Sequence, residues 1–277
     1  MELYSLCVGK IPAFDLEQTL DCGQCFRFTY TEPHGWVGVV ENHPLCIREE
    51  NGQIILEGDA FSGFEAYWRR YFDLDRDYPA IGQQFAHIPS IKAGMSFAPG
   101  IRILRQPAFE AMIGFIISQN NHLQRIKSIM ARLCENFGEP LETPFGKLYT
   151  FPTPETLSCL REEDLAPLRS GWRAAYILDA ARRVASGELV LNEIAVMPLE
   201  KARKELQKIH GVGPKVAECI LLYGMGRLEA FPMDVWMKRA MKTWLPDTGP
   251  ADLGEYAGIA QQYLFHYSRH FSHLLEK

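Results

Sequence analysis

Two residues nineteen positions apart, Lys215 and Asp234, could do chemistry together in this 277-residue chain. An amine that attacks a sugar carbon, with a carboxylate that stabilises the positive charge developing there, can break an N-glycosidic bond through a covalent intermediate. Each residue also has a plainer role open to it. A lysine at a helix start can simply contact a phosphate, and an aspartate ahead of a helical run is a first-choice N-cap. The two roles of Asp234 are compatible, because a capping carboxylate is held rigidly and stays ionised. As a nucleophile, Lys215 must first lose a proton, which a desolvated position at the positive end of a helix dipole favours.

The elements that must position this pair are legible around it. A helical run ends at Ile209-His210, Gly211-Val212-Gly213 makes a tight turn, and a second helix opens at Pro214. Proline is tolerated in a first helical turn because its missing N–H would have no partner there. The result is a helix–hairpin–helix over residues 199–225, whose glycines free backbone N–H groups for a phosphate. Gly211, Gly213 and Val216 are the positions expected to meet a nucleic-acid backbone.

Further motifs accompany the hairpin in a fixed order between residues 22 and 265. They are Cys22-Gly23-Gln24-Cys25-Phe26-Arg27, Ser118-Gln119-Asn120-Asn121-His122, Gly171-Trp172-Arg173, Phe231-Pro232-Met233-Asp234, and Gln261 with Phe265. With this set the chain resembles the helix–hairpin–helix DNA glycosylases, and within them the 8-oxoguanine DNA glycosylase/AP lyases. The resemblance covers nearly the whole chain.

That resemblance implies a bifunctional base-excision repair enzyme acting on double-stranded DNA that carries 8-oxoguanine opposite cytosine. Lys215 would attack C1′, expel the base and leave an iminium that allows β-elimination, with Asp234 as its catalytic partner. Asn120 would fill the space of the extruded base, Arg125 and Arg173 would read the orphaned cytosine, and Trp172 would wedge beside it. Cys219 and Phe265 would sandwich the flipped base, Gln261 would bond its Watson–Crick edge, and the Gly23 carbonyl would accept its N7–H. Trp236 departs from the pattern, since better-known animal members carry a phosphate-gripping histidine there. The carbonyls of Gln207, Ile209 and Val212 could hold Na+ or K+, as such hairpins often do. No side-chain metal site and no organic cofactor are implied, and the protein is expected to be a monomer.

Composition constrains the alternatives. Hydrophobic residues at 47% and charged residues at 23% fit an ordinary globular protein with a substantial core. No apolar run approaches the ~20 residues of a membrane span, and no secretory signal is visible. The expectation is therefore an intracellular protein of the cytoplasm or nucleoid, or of the nucleus in a eukaryote. A net charge of −5 argues at first against a nucleic-acid partner. Residues 1–100 carry 7 Lys+Arg against 14 Asp+Glu, however, while residues 101–277 carry 22 against 20, so the hairpin lies in the mildly basic part.

Seven irregularly spaced cysteines suggest packed thiols rather than a disulfide framework. None follows Cys219, so the C-terminal iron–sulfur cluster of some related glycosylases is excluded. Cys22 and Cys25 have the spacing of a redox pair or half a zinc site, but no second ligand pair and no βαβ context accompany them. An alkyl-base glycosylase of the same fold would normally lack Lys215. A non-catalytic hairpin module would need neither Asp234 nor the segment from Cys22 to Arg27.

Hydrophobic patterning divides the chain into residues 1–98 and 99–277. Short β-type runs at 26–30, 35–40, 44–47 and 54–56, separated by turn residues, predict an antiparallel meander followed by a helix over 61–72. From Pro107 onward the pattern is helical almost throughout, with helices over 107–117, 122–137, 173–186, 198–209, 233–244 and 252–275. Thr153-Pro154-Glu155 reads as a further helix start. The expected class is α+β, a small antiparallel sheet domain with helices followed by a mainly helical domain with the active site in its cleft.

Overall fold

A computed structural model describes residues 3–275. Its N-terminal part is a five-stranded antiparallel sheet in the order β1-β5-β4-β3-β2. The strands are β1 (Leu3–Gly9), β2 (Thr29–Thr31), β3 (Gly35–Val40), β4 (His43–Glu50) and β5 (Gln53–Asp59). Helix α1 (Leu16–Leu20) lies between the first two, and α2 (Phe64–Tyr71), α3 (Tyr78–Gln84) and α4 (Pro89–Phe97) follow the sheet. In β5 the buried residues Ile54, Leu56 and Gly58 alternate with more open ones, as in a strand covered on one face. Trp68 of α2 fills that face among Leu45, Ile47, Leu56 and Phe72.

The remainder is helical except for one hairpin. Helix α5 (Ala108–Ser118) is buried from Glu110 to Ile117, which marks it as the central helix. Helix α6 (Leu123–Phe137) buries Ile126, Ile129, Met130, Leu133 and Cys134, a single stripe at helical spacing. Next come β6 (Pro140–Thr143) and β7 (Gly146–Tyr149), then α7 (Pro154–Ser158), capped by Thr153 as its sequence suggests. Helices α8 (Arg173–Ala185), α9 (Leu191–Val196), α10 (Leu199–Leu206), α11 (Pro214–Cys219), α12 (Val235–Trp244) and α13 (Ala257–His270) complete the chain. Helix α11 runs on into a π turn over Ile220–Gly224. The α+β layout is the one the pattern predicts.

Local differences have physical causes. The predicted strand over 26–30 shrinks to Thr29–Thr31 because Phe26 and Phe28 are drawn into two different cores. The hairpin of β6 and β7 interrupts the helical region, and its strands are only four residues long, too short for alternation to register. The helix predicted from 252 is divided, a 3₁₀ turn over Pro250–Tyr256 preceding α13 at Gly254, where φ is 69°.

Buried polar side chains tie the first part of the chain to the segment that leads into α5. Gln24 Nε2 donates to the carbonyls of Thr19 at 2.8 Å and Arg102 at 2.7 Å, and its Oε1 accepts from Leu104 N at 2.9 Å. Gln106 Nε2 donates to the Gln24 carbonyl at 2.7 Å. The Arg102 guanidinium donates to the carbonyls of Pro12 at 2.7 Å and Asp73 at 2.6 Å. These bonds fix the segment around Gly23 against the chain entering α5.

Candidate active site

The hairpin turn explains its own sequence. Gly211 has φ 80°, and a Cβ there would lie 2.1 Å from the Tyr176 ring, so both conformation and space demand glycine. Gly213, the N-cap of α11, is extended, and a Cβ on it would meet nothing within 4 Å. Neither the fold nor its packing requires glycine at 213, and its lack of a side chain leaves the start of α11 open from outside. Ala217 N bonds the Gly213 carbonyl at 3.0 Å, so the open donors of the first turn are the N–H groups of Lys215 and Val216. The Ile209 carbonyl accepts from Val212 N at 3.0 Å and closes the turn.

Lys215 is half-buried, and its ammonium lies 5.6 Å from the centroid of the Phe115 ring. Phe115 in turn stacks on Tyr223 at 5.1 Å and meets Phe26 edge-on at 5.6 Å. One aromatic ring of α5 therefore contacts both the lysine and the segment that carries Gly23. The Cys219 thiol, one turn beyond Lys215, is buried. Burial pushes it up, while the charge and hydrogen bond of Lys215 pull it down and Asp234 raises it again. Lys215, Cys219 and Asp234 thus share one electrostatic neighbourhood, and the thiol remains protonated.

Asp234 is the N-cap of α12, its Oδ1 accepting from Met237 N at 2.8 Å. Among the described residues no donor bonds Oδ2. The segment leading to it is pinned on both sides. Phe231 N donates to Glu218 Oε2 at 2.7 Å, and Gln261 Nε2 donates to the Pro232 carbonyl at 3.1 Å. The second bond fixes the Gln261 amide, so that its buried Oε1 is an acceptor without a partner. Phe265, one turn further along α13, is half-buried with Arg269 over its ring. Gly23 adopts φ 91° between the buried Cys22 and Gln24.

A second group of residues surrounds the turn between α5 and α6. Asn120 is exposed with φ 51°, and it caps neither helix, since Gln119 is the C-cap of α5 and His122 the N-cap of α6. Arg173 is only 4% exposed and faces inward. Its Nε donates to the Gln119 carbonyl at 3.0 Å, Nη2 to the Asn120 carbonyl at 3.2 Å and Nη1 to the Ser170 carbonyl at 3.2 Å. Arg125 is exposed, and its charge acts on Arg173. Trp172 is half-exposed under the Arg173 guanidinium at 4.2 Å and packs edge-on against Tyr176 at 5.1 Å. Tyr176 continues to His210 at 4.5 Å, which joins this group to the hairpin. Trp236 is half-buried on α12 with Arg239 over its ring at 5.8 Å.

Cys22 and Cys25 are both buried and unbonded to one another. Their thiols donate to the carbonyls of Thr19 and Leu20, each at 3.4 Å. Burial pushes Cys22 up to about 12 and raises Cys25 well above the ordinary thiol value, the state of packed thiols rather than reactive ones. No group of metal-ligating side chains occurs among the described residues. No helix among them is long and apolar enough to cross a membrane.

Sequence reasoning overlooked three residues of this site. Phe115 is hidden in a helix that is apolar all round. Gln24 carries no chemistry of its own. Glu218 did leave a signal, as a charge inside the apolar run from Val216 to Leu222.

Comparison with known proteins finds relatives of this chain. Residues 8–112 match the 8-oxoguanine DNA glycosylase N-terminal domain, and residues 113–252 match the HhH-GPD superfamily base excision DNA repair protein. An N-glycosylase/DNA lyase of Saccharomyces cerevisiae is 33% identical over 253 residues, covering 82% of this chain and 67% of its own length. The structure of MBOgg1 in complex with a low-affinity DNA ligand aligns at TM-score 0.91 and 37% identity, over 98% of this chain and 100% of that one. The Clostridium acetobutylicum 8-oxoguanine glycosylase/lyase, in complex with double-stranded DNA containing cytosine opposite 8-oxoguanine, aligns at TM-score 0.88 and 33% identity, over 98% and 99% of the two chains. The hairpin lysine, the capping aspartate and these matches together place the chain in the HhH-GPD superfamily of base excision DNA repair proteins, as an N-glycosylase/DNA lyase with an 8-oxoguanine glycosylase N-terminal domain.

Proposed function

We propose that this enzyme removes 8-oxoguanine paired with cytosine from double-stranded DNA and then nicks the strand. The observation that carries the substrate is the orphaned Oε1 of Gln261, a buried acceptor whose orientation is fixed by the Pro232 carbonyl. The Watson–Crick edge of an oxidised guanine offers N1–H and N2–H to such an acceptor, whereas adenine presents a bare N1. The Gly23 carbonyl, held by the Gln24 bonds, would accept the N7–H that 8-oxoguanine has and guanine lacks. With guanine in place this bond is lost, at a cost of about 1–3 kcal/mol.

In the reaction the Lys215 amine attacks C1′, and the glycosidic electron pair leaves with the base. Asp234 Oδ2 stabilises the positive charge developing at the sugar. The attached amine then loses a proton and opens the sugar ring, C1′–O4′ breaking with its electron pair and O4′ taking up a proton. The resulting iminium acidifies C2′–H, whose loss expels the 3′ phosphate by β-elimination. Cys219 and Phe265 would sandwich the extruded base, which costs a few kcal/mol to unstack. Asn120, Arg125, Trp172 and Arg173 would occupy and read the space opposite. The open N–H groups of Lys215 and Val216, beside the glycines at 211 and 213, suit a backbone phosphate. The Ile209–Val212 turn, with the Gln207 carbonyl, offers the neutral oxygen donors that suit Na+ or K+, and we propose that the enzyme acts as a monomer.

Borohydride trapping on duplexes carrying 8-oxoguanine, uracil or an alkylated purine tests this reading. A covalent adduct with the first substrate alone is expected. An adduct of equal yield with all three, or none with 8-oxoguanine, would overturn it.

A further inference from the structure

Glu218 is 7% exposed, yet no step of the proposed reaction uses it. It lies on α11 three residues after Lys215. Its Oε1 accepts from Arg203 Nε of α10, and Arg203 Nη2 also lies 3.3 Å from Oε2. Oε2 receives Phe231 N at 2.7 Å, three residues before Asp234. One carboxylate therefore joins the first hairpin helix, the helix that bears the nucleophile and the segment that delivers the catalytic carboxylate.

Burying a carboxylate is expensive unless a counter-charge and hydrogen bonds compensate it, and a hydrophobic residue would pack there at less cost. Stability alone therefore does not favour a charge at this position. Placement supplies a reason. Because Lys215 and Glu218 share a helix, the bond to Phe231 sets the distance from that helix to the start of α12, and with it the spacing of Lys215 and Asp234. Gln261 holds the next residue, Pro232, from the other side, and among the described residues Glu218 is the one hairpin side chain that hydrogen-bonds this segment.

We propose that Glu218, kept in place by Arg203, is the positioning residue that sets the geometry between Lys215 and Asp234. This rests on the function proposed above. The two chemical steps should feel its loss unequally. Base excision needs Lys215 and Asp234 together, whereas Schiff-base formation with the open aldehyde of a preformed abasic site needs chiefly the amine. A displacement of about 1 Å is worth roughly a hundredfold in such reactions.

The test compares Glu218→Gln, Glu218→Asp and Arg203→Met with wild type. Single-turnover excision of 8-oxoguanine and borohydride trapping on a preformed abasic site are measured at saturating enzyme. Glu218→Gln should lose tenfold or more in excision but less than threefold in trapping, and Glu218→Asp should recover part of the excision rate. Arg203→Met leaves Glu218 in place and should fall between wild type and Glu218→Gln, which keeps the question answerable if a Glu218 variant fails to fold. Parallel losses in both assays in every folded variant, or unchanged excision, would show a packing role only and overturn the proposal. A wild type that traps abasic sites but does not excise 8-oxoguanine would overturn the proposed function, and the assignment of Glu218 with it.

Discussion

The guanidinium of Arg173 donates to the main-chain carbonyl of Asn120 at 3.2 Å, so the buried arginine holds the exposed asparagine in its left-handed conformation. A free Asn120 pays to adopt φ 51°, and Arg173 offsets that cost before DNA arrives. Arg125, by contrast, is exposed on the same side. Arg125→Ala should therefore narrow the preference for cytosine over adenine opposite the lesion. Arg173→Ala should also lower excision against all four partners, because Asn120 loses its support. Single-turnover rates on the four duplexes separate the two. An equal loss across all four with Arg125→Ala would mark that residue as a phosphate contact.

Lys215→Gln should keep duplex binding and lose both borohydride trapping and strand nicking. The lysine's ammonium lies over the Phe115 ring and forms no ion pair among the described residues, so the fold should survive its replacement. A variant that traps at the wild-type level would assign the chemistry to another amine.

For Asp234→Asn the two roles of the residue come apart. An asparagine Oδ1 can still accept from Met237 N, so stability should change by well under the ~1 kcal/mol of a lost cap. Turnover should fall by orders of magnitude because the charge is gone. Thermal melting and excision kinetics on the same preparation measure both. A variant that melts early but cuts normally when folded would reduce Asp234 to a cap.

Gly23→Ala meets open space around the new Cβ, so its whole cost comes from φ 91°. The backbone should relax and move the carbonyl proposed to read N7–H. Activity on 8-oxoguanine should drop much more than lyase activity on a preformed abasic site. Equal losses on both substrates would show that Gly23 serves the fold alone.

His266 supplies a pH dependence of stability. Burial, followed by the charges of His270 and Arg269, holds its imidazole down at about 4. In the unfolded chain it titrates near 6.5, so between about pH 6.5 and 4 the unfolded state binds more protons and stability falls as pH falls. His266→Gln should flatten the decline of melting temperature over that window. An unchanged slope would place the acid sensitivity elsewhere.

The fold was legible where periodicity runs long. Helices α5, α6 and α8 announce themselves by apolar spacing over three or more turns. Short segments did not. Strand β1 lies at the N-terminal edge with little buried, and β6 and β7 offer four residues each. At the site, Lys215 and Asp234 could be found because their types are unusual in their surroundings. The inward pose of Arg173 could not be, since an arginine at a helix start gives no sign of whether it faces solvent or the carbonyls of a turn 54 residues away. Phe115 is equally silent, one apolar residue among eight.

The bonds by which Gln24 and Arg102 tie the first part of the chain to the segment entering α5 have a consequence for how the molecule comes apart. Opening the seam would strand several buried polar groups at once, each at a cost comparable to a lost hydrogen bond. Separate melting of the sheet unit would expose that whole set before any of the helical core had been released. The chain should therefore denature as one cooperative body, with a single heat-absorption peak whose calorimetric and van't Hoff enthalpies agree. The helices severed from residues 1–98 should not survive as a smaller enzyme, because the strand of chain entering α5 would have lost the partner that shapes it.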